Sequence, residues 1–177
     1  MTADLPHPAP EDLDPDQQTV WDAMRAVYAA FLAGDAAAAD AHLHPEVTLW
    51  DSAEPGLVRG LGGLRELRAR RATGSADTHN DTAADTAADT PADTAADIHN
   101  DTAADTAEGD SPRVVAIEAT EPLIDIWGDI ALMRHLLRVR HGAGGPPDEI
   151  VRNTSVWCRV EGRWLAVHNH EDVLGTP

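Results

Sequence analysis

Glu121-Pro122-Leu123-Ile124-Asp125-Ile126-Trp127-Gly128-Asp129 leads into three apolar-alternating segments, the last of which reads Arg163-Trp164-Leu165-Ala166-Val167-His168-Asn169-His170. Over 130–140, 151–160 and 163–173, β-branched and aromatic residues recur with a period near two. Gly128-Asp129, the stretch 142–147 and Glu161-Gly162 bound these runs. Three antiparallel strands are predicted, preceded by a fourth over 113–127. Glu161-Gly162 supplies the positive-φ residue a tight hairpin needs, whereas the Gly-Gly-Pro-Pro run at 144–147 predicts a looser connection.

The front of the chain has helical spacing. Val20, Trp21, Met24, Val27, Tyr28, Phe31 and Leu32 form one apolar stripe, so Trp21, Tyr28 and Phe31 are expected between helix and sheet. Gly34 ends this helix, Asp35 caps a second Ala-rich one reaching about His42, and Pro45 stops that one before a strand over 47–51. A short extended piece near Leu57 precedes a third helix over 61–72. The order predicts an α+β fold, a curved antiparallel sheet with three N-terminal helices on one face and a cone-shaped pocket between them.

Five separated blocks, Val47-Thr48-Leu49-Trp50, Gly56-Leu57-Val58-Arg59-Gly60-Leu61, Glu121 to Asp129, Val156-Trp157 and Gly162 to His170, resemble the nuclear transport factor 2-like superfamily. Within it the chain is similar to the association domain of calcium/calmodulin-dependent kinase II and to free-standing SnoaL-like proteins. The resemblance implies a small organic ligand in the cone, with isomerase, hydrolase or cyclase activity left open. The alternative it implies is an oligomerisation module without catalysis. Self-association into a homodimer or larger assembly is expected under either, because the outward sheet face carries Trp and aliphatic residues.

Candidate pocket residues follow from strand phase and from the resemblance. Regular alternation puts Trp164, Ala166, His168, His170 and Asp172 on one face of the last strand. His168 and His170 are then candidates for general acid–base chemistry, or else ordinary wall residues hydrogen-bonded to their neighbours. In ketosteroid-isomerase-like members a carboxylate in the cone removes a proton, which makes Asp51 the third catalytic candidate, a turn role before Ser52 being the alternative. Tyr28, Trp50, Ser155, Trp164 and Glu171 complete the expected pocket. The kinase association domain carries arginines on its central strands, where this sequence has Leu136 or Leu137, Ser155 and Glu171. That departure argues against the same carboxylate ligand, although Arg134, Arg138 and Arg152 lie nearby.

The formal charge of −18 is concentrated outside the folded part. Segment 77–110 holds nine Asp and Glu108 without an arginine, and residues 1–16 add five acids. Asp recurs every four residues from Asp77 to Asp105, and Asp77-Thr78-His79-Asn80 returns as Asp97-Ile98-His99-Asn100. A helix would stack like charges at i,i+4, costing roughly 0.2–0.5 kcal/mol per pair, and the segment has little to bury. A disordered tail (1–16) and a disordered acidic insertion (74–110) are therefore expected around one domain over 17–177. The acidity argues against nucleic acid as a partner. The absence of a long apolar run argues against a membrane and for a cytoplasmic location. No metal or cofactor is expected, since the Asp spacing lacks the pattern of a calcium loop and a His-x-His pair alone supplies two ligands.

Overall fold

The first helix begins where its cap can be built. In the computed structural model, which describes residues 12–72 and 114–175, Asp14 accepts the Gln17 backbone N–H at 2.9 Å while Gln17 Oε1 accepts the Asp14 N–H at 2.9 Å. Pro15 follows at the first helical position. Helix α1 (Pro15–Ala33) ends at Gly34, whose φ of 71° an L side chain would resist. Gln17 Nε2 also donates to the Ile124 carbonyl at 2.7 Å, which ties the start of the helix to the sheet. The helix thus starts inside what the sequence assigned to a tail. The disorder expected for 1–11 and for the acidic repeat concerns residues outside those described.

Helix α2 (Ala36–Asp40) follows, then β1 (Leu43–Trp50), β2 (Val58–Arg59) and α3 (Gly60–Ala72). A meander completes the fold: β3 (Val114–Trp127), β4 (Ile130–His141), β5 (Glu149–Val160) and β6 (Arg163–Gly175). The six strands form one curved, open sheet in the order β2-β1-β6-β5-β4-β3. The sheet is mixed rather than antiparallel, because β1 pairs with β6 in parallel. After α3 the chain crosses to the far edge, and four strands of meander bring the last one back beside the first. Which way those two run relative to each other is a property of the whole path. Local alternation cannot show it.

Val20, Trp21, Met24 and Tyr28 of α1 pack onto the inner sheet face against Ile124, Ala131, Met133, Leu137, Val151, Trp157, Trp164 and Ala166. Phe31 departs from expectation. It is 55% exposed, the buried residue of the last turn of α1 being Ala30 instead. Helix α3 packs against β1 and β2 through Leu67, and Arg68 Nη1 ties it to Asp40 of α2 at 2.7 Å. Among the described residues no helix is long and apolar enough to cross a membrane.

Two-residue turns join β3 to β4 and β5 to β6, whereas β4 and β5 are joined by the longer stretch 142–148. At Glu161-Gly162 both residues have positive φ, 51° and 77°, the geometry whose twist matches that of the flanking strands. Truncating Met133, which is fully buried, to Ala should cost about 2–5 kcal/mol. Phe31→Ala should stay within about 0.5 kcal/mol, both read as shifts of the urea unfolding midpoint at constant slope.

Candidate functional site

The inner face of the sheet is set by a β-bulge. Trp157 pairs with Ala166, but Val156 pairs with His168, so Val167 is an extra residue in β6. Before the bulge Trp164 and Ala166 point inward; beyond it the inward residues are Asn169 and Glu171, opposite the inward Ser155 and Asn153 of β5. The expected face sharing of Trp164 with His168, His170 and Asp172 is therefore broken. A one-residue slip exchanges the two faces of a strand.

Three neighbouring strands consequently place His135, Asn153 and Glu171 in one row across the interior. Met133, Ser155 and Asn169 form the next row. Asn153 Nδ2 donates to Glu171 Oε1 at 3.2 Å and Asn169 Nδ2 donates to the same oxygen at 3.0 Å. From the helix side, the Tyr28 hydroxyl lies 2.8 Å from His135 Nε2, and the Trp21 ring meets the imidazole edge-on with centroids 5.4 Å apart. Ser155 Oγ accepts from Trp157 Nε1 at 2.9 Å. His135 Nδ1, Asn153 Oδ1 and Asn169 Oδ1 are buried without a hydrogen-bond partner.

Burial sets the charge states of this row. It lowers the His135 pKa to about 4, so the imidazole is neutral at pH 7 and either tautomer leaves Nδ1 unpaired. Glu171 keeps some accessible surface, yet desolvation raises its pKa, helped by the Asp51 charge and opposed by the two Asn bonds and Arg71. Tyr28 is raised well above the usual phenol value by burial and by Glu171, and keeps its proton.

The remaining sequence candidates lie around this row. Asp51 holds a turn, accepting the Ala53 N–H at 2.8 Å, and pairs with Arg71 of α3 at 2.9 Å. Its carboxylate is still near enough to bias Glu171. Glu54 binds Arg70 at 2.8 Å and Arg71 at 3.2 Å. Trp164 belongs to the apolar core, under the Arg159 guanidinium at 4.5 Å. Trp50 is 45% exposed and in register with His170 on the outer face, so it is no wall of the interior. His168 Nδ1 lies 2.8 Å from Thr48 Oγ1 on that outer face, and His170 is exposed. Arg134 and Arg152 also point outward, paired with Asp125 and Asp172. Cys158 is half-buried there. A groove of about 570 Å³ between α1 and β3 is lined by Tyr28, Leu32, Ile117 and Ala119 among others. Among the described residues no group of three or more His, Cys, Asp or Glu is arranged to hold a metal.

His135, Asn153 and Asn169 were not singled out from the sequence. The signal was present for the first two. Buried Trp157 fixes the inward phase of β5, and Asn153 interrupts the set Val151, Ser155, Trp157. His135 likewise interrupts Ala131, Met133, Leu137. Asn169 and Glu171 depend on the bulge, which periodicity does not announce.

No protein-family model and no curated protein matches the chain. Solved structures do. The CaMKII hub homology domain of Chlamydamonas reinhardtii matches with a TM-score of 0.58 at 18% identity, covering 90% of this chain and 99% of that one. An NTF2-like protein from Pseudomonas putida matches with a TM-score of 0.59 at 14% identity, covering 89% and 85%. A candidate ketosteroid isomerase from Shewanella frigidimarina matches with a TM-score of 0.53 at 16% identity, covering 85% and 92%. The chain has the NTF2-like fold.

The low His135 pKa makes stability depend on pH in one direction. The unfolded imidazole takes its proton near 6.5 and the folded one only near 4, so the contribution is whole above 6.5 and is lost as pH falls towards 4. The loss from this group is roughly 3 kcal/mol. Urea midpoints measured across that window should fall for the parent protein. They should fall less for His135→Gln, leaving what His42 and His168, shifted in the same direction, contribute.

Proposed function

We propose that the protein binds a small organic molecule against the interior row, with Tyr28, His135, Asn153, Ser155, Asn169 and Glu171 forming the polar end of the site. The observation that carries this reading is the set of unpaired polar atoms along that row. Burying an amide or imidazole atom without a partner costs on the order of 1–3 kcal/mol. Three such atoms on adjacent strands, beside a desolvated carboxyl, are a poor solution for a wall and a good one for a binding site. Structural neighbours that include a candidate ketosteroid isomerase support a pocket used for small molecules. Glu171 is the group here best able to take or give a proton, since burial moves it towards neutral pH. Asp51 enters through its charge at the rim. His168 and His170 have no part in this site.

Ligand-detected NMR with thermal-shift screening tests the reading. Compounds that stabilise the protein should move the side-chain amide signals of Asn153 and Asn169, and Glu171→Gln should abolish their effect. The same variant should raise the unliganded unfolding midpoint at neutral pH. The sign follows from the raised Glu171 pKa: its contribution is whole below the unfolded value and lost as pH rises through the folded one, and Gln removes that penalty. Stabilising compounds that act equally on Glu171→Gln and leave both amides unmoved would overturn the site.

A second reading, self-assembly, is favoured by a different feature. Trp127 (61% exposed), Ile130 (41%) and Val160 (36%) cluster at one end of the outer sheet face, and hub domains are among the structural neighbours. If this patch joins copies of the chain, light scattering should give at least a dimer mass. Trp127→Arg should shift it towards the monomer with the fold unchanged by circular dichroism.

A further inference from the structure

The ligand class follows from the direction of the hydrogen bonds around Glu171, an argument that rests on the interior being a binding site. A carboxylate only accepts. Asn153 and Asn169 must therefore turn their NH2 groups to it, as both do at Oε1, and their carbonyl oxygens face elsewhere. Both of those oxygens are buried and unpaired. Glu171 Oε2 accepts no hydrogen bond from the described residues, and part of the residue's surface stays accessible. The cluster thus has three oxygens in want of donors.

Charge points the same way. Among the described residues, the arginines that approach the inner face are already taken. Arg159, at the far end of the sheet, binds Asp16 at 2.6 Å. Arg71 is shared between Asp51 and Glu54 at the rim. Two guanidinium groups, of Arg70 and Arg71, there face three carboxylates, of Asp51, Glu54 and Glu171. Glu171 is the one without an ion pair. Trp21 and Tyr28, buried on the helix side, both contact His135 of the same row and bring no positive charge.

We infer that the site takes a small organic ammonium ion, whose NH3+ group donates to Glu171 Oε2. An ammonium brings three donors and no acceptor and gives Glu171 its missing counter-charge. An anion would meet acceptors and a like charge. A neutral alcohol offers a single donor.

Three probes of one shape decide this: benzylammonium, benzyl alcohol and benzoate, titrated by calorimetry and by amide NMR into the full-length chain at pH 7. Benzylammonium should bind at least about tenfold more tightly than benzyl alcohol, a difference of about 1.4 kcal/mol, and benzoate should not bind. Glu171→Gln should erase the preference by weakening benzylammonium at least about tenfold. If benzyl alcohol or benzoate binds as well as the amine and moves the Asn153 and Asn169 amides, the ammonium assignment falls and small-molecule binding stands. If none of the three moves those signals at about 10 mM, a range that fragment affinities reach, both fall. The comparison on the parent chain decides the matter even where the variant does not fold.

Discussion

One extra residue in β6, Val167, determines which side chains the interior contains. Without it, regular alternation from Trp164 would carry His168 and His170 inward and leave Asn169 and Glu171 outside. The bulge falls where β6 also meets β1, so the same irregularity accompanies the change from core packing to the polar rows. On one side of it the inner face is Trp164, Ala166, Trp157 and Ala131. On the other, His135, Asn153, Ser155, Asn169 and Glu171 stand among Met133, Leu137 and Val151. A bulge is a common means of re-aiming a side chain at a site, and here it re-aims a whole strand end.

The energetics of the two halves differ accordingly. The apolar half draws its stability from burial, and its members are nearly all below a tenth exposed. The polar half works against itself. Desolvation pushes His135 towards its neutral form and Glu171 towards its own, so neither ion compensates the other by pairing. The two Asn amides relieve Glu171 only by leaving their carbonyls unmet. A core of the same shape made of Leu and Val would avoid these costs. That this one keeps them is the reason to read the row as a site. The salt bridges at the rim add little stability, because their arginines remain half exposed. Their effect is to hold the end of α3 beside Asp51 and to use up the local positive charge.

Much of the fold was legible in the sequence, and the reasons are local. The cap at Asp14, the stop at Gly34, the stripe from Val20 to Tyr28 and the turn at Glu161-Gly162 all act within a few residues. What was not legible depends on chain path or on register. The parallel pairing of β1 with β6 needs the route of the whole meander. Strand β1 starts at Leu43 and runs through Pro45, which the sequence reading treated as a stop; position 45 is exposed, where the missing N–H is least costly. Phe31 follows the stripe and is still exposed, the buried residue of the last turn being Ala30. For the site, Tyr28, Ser155 and Glu171 follow from the resemblance, while His135 and Asn153 are single polar interruptions of apolar runs, which alternation alone does not mark as functional.

The two faces of the sheet also divide the functional readings between them. Residues that alternate inward carry the unpaired acceptors, the neutral imidazole and the desolvated carboxyl. Residues that alternate outward carry paired ions, Arg134 with Asp125 and Arg152 with Asp172, beside exposed Trp127 and Ile130. Ligand binding and self-association therefore make no competing demand on any side chain of the sheet. A hub-like neighbour and an isomerase-like neighbour are both expected for such a fold, because its curvature separates an enclosed face from an open one. In this chain the enclosed face departs from a plain core at His135, Asn153, Asn169 and Glu171.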